Sequence, residues 1–190
     1  MSDRTAARLE TRARRDAYVA ARKEAATTLE TGSLDEMVQL LDSPWKGVRL
    51  MVVRALRRGI RREALPQLVE HAVTKEDEFV RRSIALALAD LSDEISRETL
   101  WRLLEDQSQD VRRSALRGLS RLGDERVVPI AVDWYQTGGV LLRAEAVGAL
   151  LTLQTKTGTG ALEGLLSAEP SWRRRRLIRR AMRKTERHKQ

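Results

Sequence analysis

The apolar positions of this chain recur at helical spacing, and they do so in blocks. Val111, Ala115, Leu119 and Leu122 follow one another at steps of four, four and three residues, which is the stripe of an amphipathic helix. Similar stripes lie in VRLMVVRAL (48–56), VRRSIALAL (80–88), VRRSALRGL (111–119) and LRAEAVGAL (142–150). Val48 to Val80 is 32 residues, Val80 to Val111 is 31, and Val111 to Leu142 is 31. Self-similarity at a fixed period marks a stacked array, in which each unit needs its neighbours to cover its apolar face. One more step lands on Arg173, inside SWRRRRLIRRAMRKTERHKQ (171–190). Leu177, Ile178 and Ala181 then fall where Ala146, Val147 and Leu150 stand. The register predicts an ordered helix through about Arg183, with Leu177, Ile178, Ala181 and Met182 turned inward and Leu177 buried, the arginines outward and only 188–190 loose.

Each unit predicts two helices. The longer second helices fall at 45–62, 78–91, 111–122, 140–153 and 172–187. Shorter first helices precede them: LDEMVQLL (34–41), EALPQLVEHAV (63–73), RETLWRLLED (97–106), RVVPIAVDWY (126–135) and GALEGLL (160–166). Ser33 and Glu36 have the spacing of a capping box, and Ser43-Pro44 suits an N-cap followed by a first helical position. Ser108 and Ser171 are further N-cap candidates, and Gly123-Asp124 breaks one unit from the next. Pro66 and Pro129 sit in first turns, where a missing N–H is harmless. Residues 3–30 lie outside the repeat and read as a long Ala/Arg-rich helix capping the N-terminal end. A chain of 190 residues with 42% apolar residues suits one domain, 1–190, with a real core.

LLDSPWKGVRLMVVRAL and LLEDQSQDVRRSALRGLSRLGD resemble HEAT-type repeats, particularly the short bacterial HEAT-like kind: an apolar helix, a turn with Asp, then Val-Arg-x-x-Ala-x-x-x-Leu. The resemblance covers about residues 33–187, some five units. It implies an all-α, right-handed α-solenoid of about five helical hairpins, with the second helices lining a concave face. It also implies a structural role for Arg49, Arg81 and Arg112, paired with turn residues such as Asp42, Asp77 or Asp110. The fourth unit departs from the pattern, with a QTGG turn that lacks Asp, and the fifth has Trp-Arg-Arg in place of Val-Arg.

Charge changes this picture. The net charge is +9, and residues 171–190 alone carry +9, so residues 1–170 sum to zero. That neutrality is only an average. The five second helices carry +7, 0, +4, 0 and +8, together +19, while the five first helices together carry −6. Arg54, Arg58 and Arg62 share one helical face at i, i+4, i+8; Arg113, Arg117 and Arg121 repeat the spacing, and Arg175, Arg179 and Arg183 repeat it again. Like charges so placed cost a helix a few tenths of a kcal/mol per pair. Clustered Arg along helices is an electrostatic footprint for an anion, and Arg outnumbers Lys 30 to 6, which suits bidentate phosphate contact. These nine arginines are the candidate polyanion site. The expected role is a non-catalytic binding protein whose partner is nucleic acid, held through phosphates with little base readout. The alternative is a scaffold or adaptor for an acidic protein.

Other chemistry is scarce. No run of eighteen apolar residues and no apolar signal core occurs, so a cytoplasmic protein with no membrane span is expected. There is no Cys, and the two His, His71 and His188, are far apart, so neither a metal centre nor a cofactor is expected. KTGTG (156–160) follows a helix and lacks the Lys-Ser/Thr of a phosphate loop; it reads as an inter-helix turn. A HEAT-like family excises alkylated bases from DNA, and AVDWYQ (131–136) offers Asp133 and Trp134, with Trp101 and Arg143, as the remote enzymatic alternative. That family's spacing is not reproduced, and Trp134 aligns with the core positions Leu103 and Leu165. Bilin lyases share the repeat type, but nothing here suggests a chromophore pocket. Trp45 and Trp172 each open a second helix beside Lys46 and Arg173. Both are expected to pack over the inter-helix turn rather than to stack on bases.

Overall fold

A computed structural model describes residues 3–59, 65–74 and 77–187, and among them every regular element is helical. The chain divides into two compact units, Met1–Ala87 and Leu88–Gln190.

The first unit begins with α1 (Asp3–Thr31), followed by α2 (Leu34–Gln39) with a 3-10 turn at Leu40–Asp42, α3 (Lys46–Gly59), α4 (Leu65–Thr74) and α5 (Glu78–Leu88). Helix α1 lies against α2 and α3. Ala25 is its fully buried contact, and the Tyr18 ring meets Trp45 at 5.5 Å between centroids. Ser33 and Glu36 form the expected capping box: Ser33 N donates to Glu36 Oε2 at 2.6 Å and Glu36 N donates to Ser33 Oγ at 3.3 Å. The cap of α3 differs from expectation. Val48 N and Arg49 N both donate to the Trp45 carbonyl, at 2.9 and 3.1 Å. Trp45 is therefore the cap residue, and Ser43 closes a separate turn by accepting from Trp45 N.

The second unit holds α6 (Glu94–Leu103), α7 (Gln109–Arg121), a 3-10 turn at Glu125–Val127 running into α8 (Val128–Thr137), α9 (Val140–Leu153), α10 (Lys156–Ala168) and α11 (Trp172–Arg187). Helix α9 is its centre, packed by α7, α8, α10 and α11. Its buried side carries Ala146, Val147, Ala149, Leu150 and Leu153, while Val140, Leu141, Ala144, Gly148 and Thr152 form an exposed side that bears no charge. Leu100, Leu116, Leu119, Leu150, Leu162 and Ile178 fill the core.

KTGTG is helix, not turn. Thr155 Oγ1 accepts from Gly158 N at 3.1 Å and starts α10 at Lys156. Glycine at 158 has a packing reason, because a Cβ there would lie 2.8 Å from the Leu150 carbonyl oxygen. The chain reverses instead at Gln154, whose φ is +51°.

The arginines of the Val-Arg pairs are structural, though not all through Asp. Arg49 donates to the Ser43 carbonyl at 2.7 Å and pairs with Asp77 at 2.5 Å. Arg81 is buried. Arg112 binds the carbonyls of Asp106 and Gln107, at 2.6 and 3.0 Å, and so ties down its turn by the backbone.

Helix α7 ends in a Schellman motif: Gly123, at φ +70°, donates to the Ser120 carbonyl, and Asp124 N donates to that of Leu119. Glycine is the residue that takes this left-handed conformation without strain. The motif delivers Asp124 into a buried position, 4% exposed. There it accepts Trp101 Nε1 at 2.9 Å and both Nε and Nη2 of Arg126, at 2.9 and 2.6 Å, while the Arg126 guanidinium covers the Trp101 ring at 5.1 Å. The Arg126 hydrogen bonds, reinforced by that of Trp101, hold the Asp124 carboxyl down at about 2, against an ordinary 3.8.

The register of α11 corrects one expectation. Ile178 is inward as expected, at 0% exposure, but Leu177 is not buried: it is 54% exposed. Neighbouring side chains on a helix point about 100° apart, so only one of the two can face the core. The inward side is centred on Ile178 and flanked by the half-buried Ala181 and Met182.

Two outcomes follow from this packing. Ile178→Ala should cost about 2–4 kcal/mol by urea unfolding, whereas Leu177→Ala should stay within about 0.5 kcal/mol; the reverse order would restore the Leu177 register. A depressed carboxyl stabilises the fold above its unfolded-state value and loses that stabilisation as pH falls towards its folded one. Asp124→Asn should therefore lower stability by about 1–3 kcal/mol at neutral pH. It should also flatten the decline of stability between roughly pH 4 and pH 2, measured by urea unfolding across that range.

Candidate polyanion-binding face

The nine candidate arginines do not share one environment. Arg54 is exposed on α3, in the first unit. The side chain of Arg58, and the whole of Arg62, lie outside the described residues. The other six are in the second unit, on α7 and α11, and these two helices use their charge differently.

On α7 the charge is spent internally. Glu145, buried in the apolar run of α9, is gripped by Arg117 through Nε to Oε1 at 2.9 Å and Nη2 to Oε2 at 2.6 Å. Arg113 reaches the same carboxylate at 3.4 Å and Asp110 at 3.0 Å. Arg121 pairs with Asp90. The hydrogen bond and charge of Glu145 raise the Arg117 pKa above its ordinary value. A carboxylate buried in an apolar helix needs such partners, so these arginines neutralise it before any ligand arrives.

On α11 the charge faces outward. The start of the helix is pinned by Glu169, which is buried beside Tyr135. Tyr135 Oη donates to Glu169 Oε2 at 2.6 Å, Ser171 N donates to Oε1 at 3.0 Å, and Arg174 approaches to 3.7 Å. Burial, then this hydrogen bond, pushes the Tyr135 phenol up to about 12, and the same bond leads the lowering of Glu169. Arg143 Nε donates to the Tyr135 carbonyl at 3.1 Å and steadies the same corner. With Glu169 at one end and Ile178 in the core, α11 packs on α9 and α10 and turns its remaining surface out.

That surface is almost wholly basic. Arg176, Arg179, Arg180 and Arg183 are exposed and Arg175 is half-buried. No carboxylate among the described residues pairs with any of the five. Trp172, 62% exposed, closes one end of the stripe. A cleft of about 510 Å³ is lined by Trp172, Arg175, Arg176, Arg179 and Arg183, and another of about 320 Å³ runs along Arg173, Arg176, Leu177, Arg180 and Arg183. Arg176 and Arg180, outside the i, i+4 series centred on Arg179, belong to this face; the run RRRR (173–176) was the signal for Arg176 and the pair Arg179-Arg180 for Arg180.

The residues of the base-excision alternative lie in separate environments. Trp101 is bound to Asp124, Arg143 to the Tyr135 backbone, and Asp133 is exposed on α8. The two helix-opening tryptophans also diverge, since Trp45 packs on Tyr18 and Trp172 stays open. Among the described residues there is no cluster of three metal-ligating side chains, and no helix is long and apolar enough to cross a membrane.

Comparison with known proteins agrees with the helical-hairpin architecture. The chain is similar in structure to the YibA protein of Escherichia coli, with a TM-score of 0.59 and 20% identity over 88% of this chain and 61% of that one. It thus spans about 61% of the length of that relative. It is also similar to an engineered protein, with a TM-score of 0.50 and 22% identity over 88% of this chain and 89% of the other. At such identities the likeness concerns the fold. No curated protein matches the sequence. The family model described as HEAT repeats matches three overlapping segments, residues 5–89, 34–114 and 96–183. With its helical hairpins recurring at one period in the sequence and that model matched along most of its length, the chain belongs to the HEAT-repeat family and is an all-α helical solenoid.

Proposed function

We propose that the outer face of α11 binds a polyanion, and that the partner is nucleic acid held through its phosphates. Membership of the HEAT-repeat family supports a binding or scaffold role; the choice of partner rests on the chemistry of this face. The observation that carries it is the contrast between two arginine-rich helices of one unit. Those of α7 are matched by Glu145, Asp90 and Asp110, whereas the five on the outer side of α11 face no carboxylate among the described residues.

Like charges on adjacent turns repel, and an anion relieves the repulsion. From Trp172 to Arg183 the helix rises about 16 Å, roughly five base steps of a duplex strand at about 3.4 Å each. Guanidiniums engage phosphate oxygens bidentately and say little about sequence. The reading is therefore binding without catalysis, in the cytoplasm, with weak base preference. Arg54, in the other unit, is not needed for it.

The triple charge reversal Arg176→Glu, Arg179→Glu, Arg183→Glu should leave the helical circular dichroism unchanged. It should weaken binding to both random duplex and single-stranded DNA, and it should reduce the slope of log affinity against log salt by roughly 2–3. Unchanged affinity and slope would falsify the assignment to α11. Absence of nucleic-acid binding by the unaltered chain near physiological salt would transfer the face to an acidic protein partner. Arg117→Ala should behave in the opposite way: it should lower stability by about 1–3 kcal/mol, because Glu145 loses its bidentate partner, while nucleic-acid affinity stays the same.

A further inference from the structure

The stripe on α11 is not uniform. Its N-terminal end carries an indole with more than half of its surface open, 62%. The two helix-opening tryptophans are equivalent in sequence, and each is expected to pack over a turn. Trp45 does pack, against Tyr18 at 5.5 Å. Trp172 does not, and it lines the same 510 Å³ cleft as Arg175, Arg176, Arg179 and Arg183. The Arg173 guanidinium lies 5.5 Å from its ring centroid, a cation–π contact that steadies the indole.

The backbone beneath Trp172 is held firmly. Ser171 N donates to Glu169, Arg175 N donates to the Ser171 carbonyl at 2.9 Å, and Glu169 is itself bound to Tyr135. An open aromatic ring at the end of a row of guanidiniums that meet no carboxylate among the described residues is the pairing that single-strand binders use, a base against the ring and phosphates along the cations. A duplex keeps its bases stacked on one another, so it can use the arginines but not the indole.

We infer that the anionic partner of α11 is single-stranded nucleic acid, with one unpaired base stacked on Trp172 and the adjoining phosphates running along Arg176, Arg179 and Arg183. This rests on the polyanion reading above and narrows it to a substrate class. Stacking is sequence-tolerant because every base has a π-face, so the preference is for strandedness rather than for sequence.

The test uses the full chain and three fluorescein-labelled probes of equal length: oligothymidylate, a random duplex, and an abasic strand with the same phosphates and no bases. Affinity is read by anisotropy across a salt series. Trp172→Ala should weaken oligothymidylate binding about 5- to 100-fold with the salt slope unchanged. It should leave duplex and abasic binding as they were, and Trp172→Phe should recover most of the loss. The unaltered chain should bind the abasic strand about as weakly as Trp172→Ala binds oligothymidylate. Because Trp172 is exposed, thermal unfolding of both variants should match the parent. If Trp172→Ala binds oligothymidylate as tightly as the parent does, or loses duplex binding to the same degree, the stacking inference fails while the phosphate reading stands. If the parent binds none of the three probes, both fail.

Discussion

A helical hairpin of thirty-odd residues cannot bury its own apolar stripe, and everything else in this protein follows from that constraint. Within the second unit α9 is covered by α7 and α11, and polar side chains fix the spacing of the cover. The specific bonds confirm the period. Arg117 to Glu145 spans 28 residues, Arg121 to Asp90 spans 31, Arg113 to Glu145 and Thr157 to Glu125 span 32, and Tyr135 to Glu169 spans 34. Each is a rung one repeat long. Apolar burial supplies most of the stability, but it is tolerant of sliding. A carboxylate that is wrong by one helical turn is left buried and unpaired, at a cost of several kcal/mol. The rungs therefore set register where the leucines alone would not.

This arrangement gives arginine two fates within one unit. Where a neighbouring helix presents an acid, as α9 presents Glu145, the guanidinium becomes a strut. Helix α11 packs on α9 and α10, and nothing among the described residues presents an acid to its other side. Identical residue types at identical spacing then amount to structure on α7 and to an unsatisfied surface on α11. Counting charge by helix does not distinguish these cases, since it is the carboxylate partner, brought up from a distant part of the sequence, that decides.

The limits of reading the sequence are visible residue by residue. The repeat period, the helix order and the long N-terminal helix were legible because apolar spacing is a direct record of which face is covered. The α11 register was not. Leu177 and Ile178 are adjacent, both apolar and both flanked by arginine, so periodicity alone leaves them one residue apart. KTGTG looked like a turn because Gly and Thr are poor helix formers; the Thr155 cap and the close approach of Gly158 to Leu150 overrule that preference. Glu145 carries its own signal: a lone acid inside LLRAEAVGALL has nowhere to go but against a cation. Asp124 read as a breaker, whereas its role as an anchor for Trp101 and Arg126 depends on the left-handed Gly123 that aims it inward.

The same physics explains why a basic face can be both costly and well ordered. Repulsion among unpaired guanidiniums opposes helix formation, so α11 must be held by something other than its own surface. Ile178 supplies the apolar hold, and Glu169 supplies a polar one at the opposite end of the first two turns. Both holds lie on the inward side, and among the described residues Glu169 pairs with Arg174 and with none of the five outward arginines. A ligand reaching this surface meets cations already positioned, and no ordering of a flexible tail has to be charged against its affinity. An unstructured tail of equal charge would have to be ordered by any partner it met. Order in α11 turns a count of arginines into a surface with a direction, running from an aromatic end at Trp172 to a purely cationic one at Arg183.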